Sequence, residues 1–99
     1  MINLGDLNLR TFDVKLKNGE ILRINPPKIK VLRKIFDLTK NSENDVTTLT
    51  EAAALVLNSN SEKKVFDSEY VEENLDINDI SRLLQGYFLW VGEIKNNPN

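Results

Sequence analysis

Between residues 12 and 24 apolar and polar positions alternate. Phe12, Val14 and Leu16 are interleaved with Asp13, Lys15 and Lys17, and after Asn18-Gly19 the return run is Glu20-Ile21-Leu22-Arg23-Ile24. A period of two marks a half-buried strand, and Asn-Gly between two such runs marks a hairpin. The faces choose the register. A two-residue turn at Asn18-Gly19 pairs Val14 with Arg23 and throws Leu22 and Ile24 off the apolar face. A three-residue loop, Lys17-Asn18-Gly19, pairs Leu16 with Glu20, Val14 with Leu22 and Phe12 with Ile24, so five apolar side chains share one face. The second register is the one predicted, with a type I turn, a bulge and Gly19 in the left-handed region. Leu7 and Leu9 have the opposite parity to Phe12, which predicts a bulge or bend near Arg10-Thr11. A lone hairpin is marginal in water, so this one must lie against helices.

From Pro26-Pro27 onward the period changes to that of a helix. Pro27 suits a first helical turn, and Ile29, Val31, Leu32, Ile35, Phe36 and Leu38 form an apolar stripe. Lys28, Lys30, Arg33 and Lys34 lie largely off it. "NSEND" at 41–45 reads as a polar linker. Thr48-Leu49-Thr50-Glu51 matches a capping box ahead of a short, Ala-rich second helix. "NSNSEKK" at 58–64 reads as a mobile polar loop. Asp67 is placed to cap a short helix through "SEYVEEN", anchored by Phe66, Tyr70 and Val71. Asp76 is the predicted N-cap of the last and longest helix, with Asp79 at its third position. There Ile77, Ile80, Leu84, Tyr87, Val91 and Ile94 recur at helical steps. Leu83 and Trp90 widen the stripe, Phe88 and Leu89 are left over, and Gly86 and Gly92 weaken it. The fold class is therefore α+β, with an N-terminal antiparallel hairpin packed on a mainly helical domain of about four helices. Residues 1–99 form one domain, divided into a hairpin region (1–25), a helical region (26–95) and a polar tail (96–99).

Composition narrows the chemistry. A chain of 99 residues buries roughly 60–65% of its unfolded surface, enough for one core. It has no His and no Cys, which removes the usual general base, the commonest metal ligand and thiolate chemistry. The Ser residues have no imidazole to activate them, and no phosphate-binding glycine loop occurs. The acidic cluster Glu69, Glu72, Glu73, Asp76 and Asp79 lies in a hydrophilic stretch, which suits caps and a solvated face rather than a raised-pKa acid or a hard-cation loop. The expectation is a non-enzyme without cofactor or metal. No run approaches the roughly 18 apolar residues of a membrane span, and the N-terminus lacks a secretory pattern, so a cytoplasmic location is expected.

Charge is unevenly spread. Residues 1–40 carry nine Lys/Arg and four Asp/Glu, whereas residues 41–99 carry four and eleven. Complementary halves face each other within one fold, or guide self-association into a homo-oligomer, or dock on a charged partner. Lys28, Lys30, Arg33 and Lys34 form the candidate charged docking face. A nucleic-acid partner is disfavoured, because the chain is acidic overall and its aromatics fall on apolar stripes.

The C-terminal run "EENLDINDISRLLQGYFLWVGEIKNNPN", preceded by the basic hairpin and the "PPKIKVLRKIFDL" helix, resembles the small tail assembly chaperones of long-tailed bacteriophages and prophages. These are encoded just upstream of the tape measure gene. The resemblance implies non-covalent binding of the hydrophobic tape measure protein while tail tube subunits polymerise around it. It also implies that Lys95-Asn96 stands where programmed ribosomal slippage would produce a longer form. On this reading the client surface is expected on Leu83, Tyr87, Phe88, Trp90 and Val91, with Leu32 and Phe36 contributing. The alternatives are a structural adaptor retained in the particle, or a small nucleic-acid-binding regulator using the basic 28–34 helix face.

Overall fold

A computed structural model describes residues 10–40 and 45–96. Strands β1 (Phe12–Lys15) and β2 (Ile21–Ile24) are followed by helices α1 (Ile29–Lys40), α2 (Val46–Asn58), α3 (Ser68–Asn74) and α4 (Ile77–Asn96). The fold is α+β, and α4, at 20 residues, is the longest element. The expectation for Leu7 and Leu9 and the linker at 41–44 lie outside the described residues, as do residues 97–99.

The hairpin has the register that the apolar face demanded: Phe12 opposite Ile24 and Val14 opposite Leu22. The Leu16 N–H donates to the Glu20 carbonyl at 2.7 Å and the Gly19 N–H to the Leu16 carbonyl at 2.9 Å. Gly19 takes φ +92°, a region that L side chains avoid. The Glu20 N–H donates to Asn18 Oδ1 at 2.9 Å, so both residues of the Asn-Gly pair are used. Leu16, Leu22 and Ile24 are buried, while Lys15, Ile21 and Arg23 face outward.

Three of the four helix starts, those of α2, α3 and α4, are set by carboxylates. Asp45 caps α2, accepting from the Thr47 N–H at 2.9 Å. The capping box expected at Thr48–Glu51 is therefore displaced: Thr48 is already helical, and its hydroxyl donates back to the Asp45 carbonyl at 3.0 Å. A stronger cap three residues upstream wins because the intervening Val46 and Thr47 can join the helix. Pro27 stands just ahead of α1, whose first backbone bond runs from the Leu32 N–H to the Lys28 carbonyl at 3.0 Å. Asp67 caps α3 by accepting from the Tyr70 N–H at 2.8 Å. Asp76 and Asp79 cap α4 reciprocally: the Asp79 N–H donates to Asp76 Oδ1 at 2.8 Å and the Asp76 N–H to Asp79 Oδ2 at 2.9 Å.

The centre of the molecule is α2, which packs on α1, α3, α4 and β2. Ala52, Ala53 and Ala54 are all buried, and their small side chains let neighbouring backbones close in. Helix α4 lies against α2 on one side and β1 on the other. There Phe12 stacks on Trp90 with ring centroids 5.6 Å apart and meets Tyr87 edge-on at 6.2 Å.

The segment expected to be a mobile loop is tied down instead. The Asn60 side chain donates to the carbonyls of Leu57 (2.7 Å) and Lys64 (2.9 Å) and accepts from the Lys64 N–H at 2.9 Å. Asn58 clamps Phe66 in the same way, with its side chain accepting the Phe66 N–H at 2.6 Å and donating to the Phe66 carbonyl at 2.8 Å. The Ser61 N–H donates to the Arg23 carbonyl at 2.7 Å and the Asn25 N–H to the Ser59 carbonyl at 2.9 Å. The loop thus borders β2. Its Asn side chains act as substitutes for backbone turns, a role that looks like plain polarity in the sequence.

Candidate functional site

Helices α1 and α4 meet through side chains rather than through close backbone approach. Phe36 and Phe88 stack with ring centroids 5.0 Å apart and planes 10° from parallel. Phe36 remains 45% exposed, and Phe88 is half-buried. Beside this ring pair lies a groove of about 350 Å³ between α1, α2 and α4, lined by Thr39, Leu49, Ile77, Ile80, Leu84 and Phe88 together with Ser81 and Gln85. Ile77, on the first turn of α4, is 54% exposed. An apolar strip therefore runs from Ile77 along the groove to Phe88 and across to Phe36, with Ile80 and Leu84 buried beneath it and the exposed polar Ser81 and Gln85 interrupting it.

This differs from the surface expected on α4. Leu83, Tyr87 and Trp90 belong to the core, because the hairpin covers the side of α4 that carries them. As folded, Tyr87 and Trp90 offer a partner no open apolar face, and Leu83 reaches only the wall of a cleft beside β1. Val91 and Leu32 are half-buried at its edge. Of the residues expected on the client surface, only Phe36 and Phe88 form an accessible pair. Thr39, Leu49 and Ile77, which line the groove, were not among the residues expected on a client surface. A helical stripe shows which residues can be buried together, but it does not show where a neighbouring helix stops short.

The basic residues Lys28, Lys30, Arg33 and Lys34 are all exposed, and none makes an ion pair among the described residues. At 100° per residue, Lys30, Arg33 and Lys34 share one arc of α1, and Asp37 falls within it. Lys34 also lines a hollow with Glu51 and Asp67.

The two oppositely charged halves do meet within the fold. Lys17 pairs with Asp79 at 2.6 Å, and Arg23 pairs with Glu62 at 2.9 Å; Lys64 pairs with Glu20 in the reverse sense. The Lys17 ammonium and the Asp76 backbone N–H hold the Asp79 carboxyl at about 2, against an ordinary 3.8, and Lys17 is raised in return. The backbone N–H and guanidinium of Arg23 lower Glu62 likewise. These shifts follow from helix capping and from ion pairs at the surface.

A second cleft, of about 360 Å³, runs along β1 and is bounded by Val14, Leu16, Leu75, Asp79 and Leu83. Among the described residues no group of three or more acidic side chains is arranged to hold a metal ion, and no helix is long and apolar enough to cross a membrane. Compared with family models, curated proteins and solved structures, the chain matches none.

Proposed function

We propose that this protein is a tail assembly chaperone that binds the tape measure protein non-covalently in the host cytoplasm and assists tail tube assembly, with the tube protein as a further partner. The observation that carries the reading is the open apolar strip from Ile77 through Phe88 to Phe36. An amphipathic client helix laid in such a groove would bury its apolar face against aromatic and aliphatic anchors. Accessible aromatic patches of this kind mark interaction surfaces. The exposed cations of α1 lie on the same helix as Phe36 and suit acidic residues flanking the client's stripe.

The test is co-purification with the long helical polypeptide encoded immediately downstream in the native locus. Phe36→Ala and Ile77→Ser should each weaken that complex about tenfold or more, since buried anchors dominate such interfaces. Unchanged circular dichroism would show that the fold is intact. Undiminished binding by both variants would sink the strip as the client site. Stoichiometric presence in purified particles would point instead to a retained adaptor. Binding to duplex DNA that collapses with added salt would point to a regulator working through α1.

A further inference from the structure

The two edges of the small sheet are treated differently. Hydrogen-bonded pairs alternate along an antiparallel ladder. The Leu16–Glu20 bond and the Val14–Leu22 and Phe12–Ile24 pairs turn the backbone groups of the even-numbered β1 residues toward β2. On β2 the outward groups are satisfied by the 59–62 segment. The Arg23 carbonyl accepts from Ser61, the Arg23 N–H donates to Glu62 Oε1 at 2.9 Å, and the Asn25 N–H donates to Ser59. On β1 the outward groups belong to Asp13, Lys15 and Lys17, and no backbone bond to them occurs among the described residues. All three side chains are exposed, and the cleft beside Val14 and Leu16 leaves room along this edge.

We infer that the β1 edge pairs antiparallel with the β1 edge of a second copy of this chain, joining the two hairpins into one four-stranded sheet about a two-fold axis. Charge selects both the occupant and the register. Outward-facing groups must meet outward-facing groups, so only registers pairing odd residues with odd residues are allowed. Asp13 opposite the partner's Lys15, with Lys15 opposite the partner's Asp13, gives two opposite-charge pairs by symmetry. A shift by two residues in one direction places Lys15 on the partner's Lys15. A shift in the other direction places Asp13 on the partner's Asp13. Lys17 is already engaged by Asp79 at 2.6 Å, which removes it as a competitor for Asp13. In the favoured register Val14 meets the partner's Val14 on the apolar face, and Phe12 meets the partner's Leu16.

Sedimentation of the full chain over a range of concentrations tests this. A concentration-dependent dimer is expected. Asp13→Lys or Lys15→Asp alone should raise its dissociation constant about tenfold or more, because symmetry places each like-charge contact in the interface twice. The double exchange D13K/K15D should restore the dimer. Both positions are exposed, so circular dichroism should stay unchanged, as should melting at concentrations where the wild type is monomeric. A chain that is monomeric at every concentration overturns the proposal. So does a dimer indifferent to the single reversals, or protection of the Asp13, Lys15 and Lys17 amides from hydrogen exchange in a monomer, which would mean that the edge is covered from within the chain.

Discussion

Tyr87 sits fully buried at the junction of the hairpin and α4, and its hydroxyl has no hydrogen-bond partner among the described residues. Its ring does useful packing against Phe12 and Trp90, whereas its oxygen has been taken out of water without compensation. Tyr87→Phe should therefore stabilise the protein by about 1 kcal/mol, as a buried, unsatisfied polar atom is removed. Burial also pushes the phenol from 10.0 up to about 12. The folded state then holds its proton more tightly than the unfolded chain does. Stability on this account is complete below pH 10 and is lost as pH rises toward 12. Denaturant titrations at neutral and alkaline pH check both effects: the Phe variant should start higher and fall less steeply over that window. In the sequence Tyr87 is simply a member of an apolar stripe. That its oxygen would be stranded depends on what packs above it, which no local pattern encodes.

At the scale of the element, the segment from Asn58 to Phe66 is the instructive case. Its composition is that of a loop, and its backbone is nonetheless held at Ser59, Ser61, Lys64 and Phe66 by Asn58, Asn60 and contacts with β2. Asn60 is only 7% exposed and holds three backbone groups at once. Asn60→Ala would leave these groups without their partner and should cost about 2–3 kcal/mol, readable as a lowered denaturation midpoint. Asn60→Asp keeps the acceptor toward the Lys64 N–H but sets a carboxylate oxygen against the Leu57 and Lys64 carbonyls at a buried site, and should cost at least as much. The reciprocal Asp76–Asp79 cap shows the opposite situation, since carboxylates three residues apart ahead of a helical stripe are readable directly. Its coupling to pH has a defined sign. With Asp79 held at about 2 rather than 3.8, the contribution is complete above pH 3.8 and lost as pH falls through about 2.

For the whole molecule, the question is how the hairpin is attached to the helices. One tight contact is at Gly86, where an added Cβ would lie 3.2 Å from the Phe12 ring. Gly86→Val should therefore force Phe12 off Trp90 and destabilise by about 1–3 kcal/mol, measurable by thermal melting with loss of the near-ultraviolet aromatic signal. A glycine in mid-helix looks like a weak point along the chain. In three dimensions it is the place where a strand's aromatic ring enters.

The hairpin register, the helix order, the Asp67 and Asp76 caps and most core residues were legible in the sequence, because each follows from interactions within a few residues or from a simple period. The displaced start of α2 was a near miss between two competing caps. Three things were decided only by tertiary packing: α2, not α4, is the central element; the hairpin covers Leu83, Tyr87 and Trp90; and the open apolar strip lies at Phe36, Phe88 and Ile77. A stripe of apolar residues declares that a face prefers to be buried. Which parts of it are covered depends on where helices of unequal length end against one another, and that is set by the assembled fold rather than by any stretch of the chain.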